Sequence, residues 1–238
     1  LTFSSTTVPG TTGGAHQGMA WGDYDNDGFF DLAVALPTTQ FLLHNVAGSS
    51  FVKVNLPSPS NSDPNGIAWG DYDGDGFADL AIGRLSGAVS LLHNEGNGTF
   101  AAAAGLAGSG SGTRGVAWGD YDNDGDLDLF VANDTGADEV LMRNAGGGSF
   151  TKVVLGGAGG DSKSVSLGDY DADGDLDVLV SNGGGQATRI LRNDASAPNA
   201  APGAPASGFA ATFAEYAVGS SSGVVSLAWA NGSDAETP

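Results

Sequence analysis

Four short segments of the chain carry aspartate residues at a spacing that suits a metal ion. Each segment reads Asp-x-Asp-x-Asp-Gly-x-x-Asp, and the four copies begin at Asp23, Asp71, Asp120 and Asp169. Calcium prefers hard oxygen ligands, and aspartates at positions 1, 3 and 5 of a tight loop point alternate side chains at one centre. Glycine at position 6 permits the sharp turn that this arrangement needs. We therefore predict four calcium sites, one in each loop.

The predicted ligands of each site are the carboxylates at positions 1, 3, 5 and 9 and the backbone carbonyl at position 7. The four ligand sets are Asp23, Asp25, Asp27, Phe29 and Asp31; Asp71, Asp73, Asp75, Phe77 and Asp79; Asp120, Asp122, Asp124, Asp126 and Asp128; and Asp169, Asp171, Asp173, Asp175 and Asp177. The glycines at position 6 are Gly28, Gly76, Gly125 and Gly174. Calcium is the only cofactor that the sequence predicts.

Two other interpretations of these loops are less favoured. An EF-hand begins alike but needs glutamate at position 12 and flanking helices, whereas position 12 here is Val34, Ile82, Val131 or Val180 inside an apolar run. Ordinary β-turns also use Asp and Gly, but four copies in register, with no basic residue expected beside them, favour a metal. Magnesium fits less well because it prefers few carboxylates and keeps several waters.

The composition agrees with bound cations and excludes several classes of protein. The chain has 28 acidic and 8 basic residues, a formal net charge of -20, and the four loops hold 18 of the acidic residues. Such clusters repel themselves unless a cation lies among them. The charge also disfavours nucleic acid and anionic membrane surfaces as partners. There is no cysteine, hence no disulfide, and no apolar run is long enough to predict a membrane span.

The loops are part of a longer repeat. Their first aspartates are 48, 49 and 49 residues apart, and each is preceded by Ala-Trp-Gly or, in the last copy, Ser-Leu-Gly. An apolar run follows each loop, and a third segment then ends in asparagine, at Asn45, Asn94, Asn144 and Asn193. A fourth segment opens with phenylalanine at Phe51, Phe100 and Phe150. Each repeat is therefore predicted to contain four short strands, the size of one β-propeller blade.

This loop and strand pattern resembles the FG-GAP/VCBS family of repeats, which also forms the calcium-bearing blades of integrin α-subunit propellers. The resemblance covers residues 1–193, and its loop motif occurs four times in register. It implies an all-β fold in which four repeats of about 49 residues form a four-bladed β-propeller.

The two ends of the repeat region are incomplete in complementary ways. Phe3 precedes Asp23 by the 20 residues that also separate Phe51 from Asp71, so residues 2–8 resemble a fourth strand without its first three. The last repeat ends after Asn193 and has no such strand. We predict a closed four-bladed ring whose last blade is completed by the N-terminal strand, because closure removes an exposed sheet edge. A rival arrangement is a dimer that pools eight blades by exchanging the same strands.

The amino-acid composition changes after the repeats. Residues 194–208 are rich in Ala, Pro, Ser and Gly and are predicted to be a linker. Residues 209–238 form a predicted β-strand tail with two strands, and resemble the opening of a fibronectin-III-like or immunoglobulin-like sandwich, which needs about seven strands. The tail is therefore a truncated domain, a segment packed on its own ring, or a donor strand for another subunit. Head-to-tail donation that does not close builds a filament.

The remaining conspicuous side chains predict packing rather than catalysis. Trp21, Trp69 and Trp118 recur at one repeat position, which favours packing between blades over a sugar-binding platform. His44 has the place that an arginine, Arg143, takes in a later repeat, which argues against a catalytic histidine. No nucleophile motif or phosphate loop is present, so no enzyme is predicted.

The sequence thus predicts a non-enzymatic, extracellular β-propeller stabilised by calcium and acting as a structural or adhesive module. Its expected partner is a further copy of itself, joined head to tail through residues 209–238, or other surface proteins and glycans. Calcium is expected to be structural, because sensors need a bistable element and none is evident. The alternatives are a propeller that binds a carbohydrate or protein ligand, and an accessory part of a larger secreted enzyme. The extracellular location follows from the predicted calcium alone.

Overall fold

A computed structural model describes residues 7–9, 17–57, 63–102, 105–134, 136, 138–155 and 160–194. The chain divides into two units, Leu1–Ala195 and Ser196–Pro238, and the described residues all belong to the first. The predicted tail at 209–238 and the predicted linker, except for residue 194, lie outside the described residues. The same holds for residues 2–6 of the predicted N-terminal strand. None of the described residues belongs to a helix that is long and apolar enough to cross a membrane.

The described residues form four antiparallel β-sheets, which confirms the predicted all-β class. In each sheet the strands are neighbours in chain order, and we number the sheets first to fourth along the chain. The strands are β1 Gly18–Gly22, β2 Asp31–Leu36, β3 Thr39–Val46 and β4 Ser50–Asn55; β5 Pro64–Gly70, β6 Asp79–Arg84, β7 Ser90–Asn94 and β8 Phe100–Ala102; β9 Thr113–Gly119, β10 Asp128–Asn133, β11 Glu139–Asn144 and β12 Phe150–Leu155; and β13 Ser162–Gly168, β14 Asp177–Asn182 and β15 Arg189–Leu191.

The position of a strand within its sheet explains its composition. The second strands of the first three sheets are buried almost throughout and are mostly apolar, as expected for strands covered on both faces. The third strands have a buried apolar centre flanked by polar residues. The fourth strands β4 and β12 are mostly exposed, and each contains a lysine and a serine or threonine among the apolar residues. Each predicted four-strand repeat therefore corresponds to one sheet, except that the fourth sheet has three described strands.

Neighbouring sheets pack through one repeated contact near the end of their first strands. A Cβ atom built on Gly22 would lie 2.7 Å from the indole ring of Trp69, and one on Gly70 would lie 2.6 Å from the ring of Trp118. The Trp69 Nε1 atom also donates a hydrogen bond of 3.0 Å to the Ala20 carbonyl of the preceding sheet. The predicted packing of the repeated tryptophans between sheets is therefore confirmed for Trp69 and Trp118.

We call this contact between two neighbouring sheets a joint. The second and third strands extend each joint into an apolar layer. Ala33 and Leu42 of the first sheet share a buried cluster with Leu80, Ile82 and Leu92 of the second. The same arrangement recurs between the second and third sheets and between the third and fourth. Fully burying one large aliphatic side chain contributes roughly 1.5–3 kcal/mol, so these layers are the main source of cohesion between sheets.

The described sheets form an open series and do not close into a ring. Tight contacts join the first strands β1 to β5, β5 to β9 and β9 to β13, whereas nothing lies within 4 Å of a Cβ atom built on Gly168 in the fourth sheet. Trp21, which takes the place of Trp69 in the first sheet, is exposed. The closed ring of four blades therefore stays a prediction.

Because the glycine and the tryptophan ring lie so close together, adding one methyl group at the glycine is predicted to destabilise the fold. Gly70→Ala should lower the free energy of unfolding by roughly 1–3 kcal/mol, the usual cost of overpacking a dense contact, because its Cβ would collide with the Trp118 ring. The matched control is Gly105→Ala, whose Cβ would make only ordinary contacts at 3.6 Å or more. Urea unfolding monitored by tryptophan fluorescence measures both changes, and equal stabilities of the two variants would contradict the proposed role of the joint.

Candidate metal centre

The four aspartate loops connect the first and second strands of the four sheets. Each loop contains two successive reversals of the backbone, and the second falls on the predicted glycine at position 6. The φ angles at position 6 are 88°, 90°, 93° and 96° for Gly28, Gly76, Gly125 and Gly174. Position 4 is also left-handed, at Asn26, Gly74, Asn123 and Ala172. These reversals turn the loop so that its carboxylates face inward.

The carboxylate at position 1 organises the loop by accepting backbone hydrogen bonds. In the first loop, Asp23 Oδ1 accepts the Asp27 N–H at 3.1 Å and Oδ2 accepts the Gly28 N–H at 3.0 Å. The position-5 carboxylate of Asp27 accepts the N–H of Phe29 at 2.8 Å. The corresponding bonds occur in the other three loops. Each loop is therefore preorganised by charge-assisted hydrogen bonds.

The carboxylate at position 9 lies buried at the start of the second strand, beneath the loop. Asp79 Oδ2 accepts the Tyr72 N–H at 3.2 Å, and Asp79 Oδ1 accepts the Asn94 N–H from the third strand at 2.7 Å. Asp31, Asp128 and Asp177 make the equivalent pairs of bonds. One buried side chain thus ties the loop, the second strand and the third strand together.

The structure brings most of the predicted ligands within reach of one ion. One carboxylate oxygen from each of positions 1, 3 and 5 lies within 4.8 Å of the others in the first two loops, and positions 1, 3 and 9 do so in the third. At position 3, Asp25 Oδ1 and Asp122 Oδ1 are buried and accept no hydrogen bond. Buried polar atoms are normally satisfied, so these two oxygens fit a cation. The position-7 carbonyls stay predicted ligands.

Basic side chains reach every loop, contrary to the expectation that the loops have no basic neighbours. In the first two loops the residue is a histidine: His44 Nδ1 lies 3.5 Å from Asp25 Oδ2, and His93 Nδ1 lies 3.2 Å from Asp73 Oδ2. In the third and fourth loops it is an arginine, either Arg143 beside Asp122 and Asp124 or Arg192 beside Asp171 and Asp173.

This expectation was wrong because the antiparallel pairing of the second and third strands brings together residues that are distant in the chain. Each histidine or arginine precedes the asparagine that ends the third strand, opposite the buried aspartate of the second. The sequence signal that could have found them is the set His44, His93, Arg143 and Arg192, which repeats at one position.

Burial and mutual repulsion raise the pKa of several loop carboxyls. Desolvation is the largest cause for Asp79 and Asp128, and it raises the pKa of each to about 6 although both accept two backbone hydrogen bonds. Desolvation and the neighbouring carboxylates also raise the pKa of Asp25 and of Asp122. Without a bound cation, these carboxyls therefore hold their protons more tightly in the folded chain than in the unfolded chain.

In the second, third and fourth sheets, an asparagine at or just after the end of the third strand connects the loop region of the sheet to that of the preceding sheet. Asn94 Nδ2 donates to the Tyr24 carbonyl at 2.7 Å, and Asn144 Nδ2 donates to the Tyr72 carbonyl at 2.7 Å. The sequence displayed the repeated asparagine but not its partner, which lies 70 or 72 residues earlier in the chain. These hydrogen bonds therefore connect the four candidate metal loops across the joints between sheets.

A family model of the FG-GAP-like repeat matches residues 71–131 and 120–180. Each match begins at the first aspartate of one loop and ends within the second strand of the next sheet, so the matched unit coincides with the repeat seen in the structure. The chain therefore contains two tandem FG-GAP-like repeats within residues 71–180. The likeness of residues 209–238 to a fibronectin-III-like domain stays a prediction.

One solved structure similar to this chain is a lectin from Agrocybe aegerita, described as specifically recognising non-reducing terminal N-acetylglucosamine. The two chains are 18% identical with a TM-score of 0.49, and the match covers 73% of this chain and 51% of the lectin. The chain thus spans about half the length of that lectin. A search of curated proteins found no match.

The raised carboxyl pKa values predict how the metal-free protein responds to pH. A group whose folded pKa of about 6 exceeds the ordinary aspartate value of 3.8 contributes stability that is present at low pH and lost as the pH rises through 6. In buffer freed of metal, the free energy of unfolding should therefore be higher at pH 5.5 than at pH 7.5, by on the order of 1–2 kcal/mol for Asp79 and Asp128 together.

Denaturant unfolding of the chelated protein at the two pH values measures this difference. Asp79→Asn is the control, because an amide does not titrate in this range and the gain on acidification should shrink. A metal-free protein that loses stability between pH 7.5 and pH 5.5 would show that other groups dominate.

Proposed function

We propose that this FG-GAP repeat protein is a calcium-stabilised, non-enzymatic β-propeller module that acts outside the cell as a structural or adhesive element. Its four sheets are then the blades of the propeller. The observation that carries the proposal is the convergence of carboxylates in the first three loops between the first and second strands, which backbone hydrogen bonds preorganise. The proposal is independent of the closed four-bladed ring and of polymerisation through residues 209–238, which both stay predictions.

The chemistry of the loops favours calcium over other ions. Their donors are hard carboxylate oxygens, four or more in each loop, with carbonyls available at position 7, and calcium accepts such crowded oxygen sets at variable geometry. Magnesium demands a smaller octahedron and keeps more waters. His44 Nδ1 lies within hydrogen-bond distance of Asp31 Oδ1, at 3.2 Å. His93 Nδ1 lies 3.2–3.3 Å from carboxylate oxygens of Asp73 and Asp79, so both rings lie beside the predicted ligands.

A bound ion would act on the fold rather than on a substrate. It would neutralise carboxylates whose mutual repulsion and burial now raise the pKa of Asp25, Asp79, Asp122 and Asp128. Asn94 and its equivalents form hydrogen bonds to the preceding sheet. An ion that orders the loop would therefore also stabilise the joint between the two sheets. The concentration of calcium outside cells is high enough to fill even weak sites of extracellular modules, which supports the proposed location.

The alternative of a carbohydrate or protein ligand has no single observation in its favour. Trp69 and Trp118 are packed against the preceding sheets, so these two residues do not provide a stacking platform for a sugar. Ligand binding by another surface of the module stays a prediction.

Removal of calcium tests the proposed function directly. Calcium added to chelated protein at about 100 times the dissociation constant of a site should stabilise the fold by about 2.7 kcal/mol per site, which corresponds to a rise in melting temperature of roughly 5–10 °C. The double variant Asp73→Asn/Asp75→Asn should lose one site in calorimetric titration and part of this rise. The control Asp63→Asn, outside the loops, should titrate like the unaltered chain. An unchanged melting temperature on adding calcium would refute structural calcium.

The contrast between histidine and arginine predicts that the four sites differ in affinity. A guanidinium is permanently charged and competes with the ion for Asp122 and Asp124, whereas the imidazole at the same position in the first two loops carries no permanent charge. The first two sites should therefore bind calcium about ten-fold more tightly than the last two, because the guanidinium repels the ion. Arg143→His should strengthen the third site, and His93→Arg should weaken the second.

Isothermal titration at pH 7.5 resolves the two classes. Arg114→His, which alters a guanidinium paired with Asp134 outside the loops, is the matched control and should change neither class. Four sites of equal affinity, unaffected by Arg143→His, would show that the guanidinium does not compete with the ion.

A further inference from the structure

The three joints between sheets follow one pattern with four parts. A glycine near the end of the first strand packs against the Trp or Leu side chain of the next sheet. An apolar pair on the second and third strands packs against the apolar face of the next sheet. The third-strand asparagine of the next sheet donates back to a tyrosine carbonyl. The segment after a fourth strand places one aliphatic side chain, such as Leu56 or Leu106, on the next sheet.

The fourth sheet ends the series with one half of such a joint uncovered. Gly168 takes the place of Gly22 and Gly70, yet a Cβ atom built on it meets nothing within 4 Å. Leu179 and Ile190, the pair equivalent to the buried Ala33 and Leu42 of the first sheet, are 44% and 50% exposed. Tyr170 is 59% exposed, whereas its first-sheet equivalent Tyr24 is buried. We call Gly168, Tyr170, Leu179 and Ile190 the trailing face.

The first sheet carries the complementary half. Trp21, equivalent to Trp69 and Trp118, is 58% exposed, and Met19, equivalent to the partly buried Ile67, is 56% exposed. The side chain of Asn45 donates to the Phe30 carbonyl of its own sheet, whereas Asn94 and Asn144 also donate to a tyrosine carbonyl of the preceding sheet. We call Met19, Trp21 and Asn45 the leading face.

The segment around Val8 adds a third sign of an incomplete joint. Val8 packs against the cluster of Leu32, Val34, Phe41 and Leu43 on the first sheet, as Leu56 packs against the equivalent cluster on the second. Both residues stand 15 positions before the first aspartate of the following loop. Val8 therefore has the place of a residue that follows a fourth strand, and the fourth sheet is the one with three described strands.

We propose that the trailing face of one copy of this chain binds the leading face of a second copy, which re-creates at the contact the joint found three times within the chain. The occupant is a second copy because each half carries the residue types that the other half lacks: an open glycine opposite an exposed tryptophan, and an exposed tyrosine opposite a third-strand asparagine. The contact is heterologous, so it generates either a closed two-copy ring of eight sheets or a longer head-to-tail assembly.

The same two halves do not meet within one chain in this structure. Three internal joints are tightly packed: in the first two, a Cβ atom built on the glycine would lie only 2.6–2.7 Å from the ring. Close-packed interfaces do not deform continuously. Closing a ring of four sheets would require these joints to open further or to turn. A second copy completes the pattern without such a change, and this inference does not depend on calcium being bound.

Light scattering on the full chain at physiological ionic strength gives the first test. The unaltered chain should have at least twice the mass of one copy, and Leu179→Glu should reduce it to a single copy. The control is Val154→Glu, since Val154 is 52% exposed on a fourth strand outside both faces, and its mass should equal that of the unaltered chain. Melting temperatures of the two variants confirm that both fold. A monomeric unaltered chain at all concentrations would overturn the proposal.

Cross-linking distinguishes two copies from closure within one chain. The chain has no cysteine, so Gly168→Cys and Trp21→Cys introduce the only thiols. A mixture of the two single variants should form a disulfide-linked pair on oxidation, and each single variant alone should give far less. The double variant should give linked species of two or more copies on a non-reducing gel. A double variant that oxidises but migrates as one chain would show closure within the chain and overturn the proposal.

Discussion

The structure depends on a buried carboxylate that begins the second strand of each sheet. A buried carboxylate is costly unless it is hydrogen-bonded and paired, and Asp31, Asp79, Asp128 and Asp177 each accept two backbone hydrogen bonds, one from the loop and one from the third strand. These bonds offset the burial only in part, since the pKa of Asp79 and of Asp128 rises to about 6. A divalent cation above the carboxylate would offset the rest of the desolvation cost.

The same residue connects the local loop to the whole series of sheets. The N–H of Asn94 binds Asp79, and the side chain of Asn94 binds the carbonyl of Tyr24 in the preceding sheet. A change at one loop therefore affects the stability of both the loop itself and the joint with the preceding sheet. Repeat proteins derive their stability from such contacts between neighbours, which explains why the loop and the joint recur together with a period of 48 or 49 residues.

The sequence predicted those features that depend on residues close together in the chain. The loop ligands, the left-handed glycines such as Gly28 and the strand after each loop follow from local spacing, and the packing of Trp69 follows from its recurrence. The contacts of Arg143 with the third loop could not be derived in this way, because they arise when the second and third strands pair. Counting strands showed that the last repeat lacks one, but the count does not say which chain supplies it.

Charge links the candidate metal sites to the two end faces of the series. Each copy has a formal net charge of -20, so two copies repel one another over the Debye length of about 8 Å at physiological ionic strength. Four bound calcium ions would reduce the net charge to about -12 by simple addition. The ions would not touch the faces that carry Trp21 and Leu179, yet they would lower the electrostatic cost of bringing these faces together. Calcium would then favour association even though the contact itself is apolar.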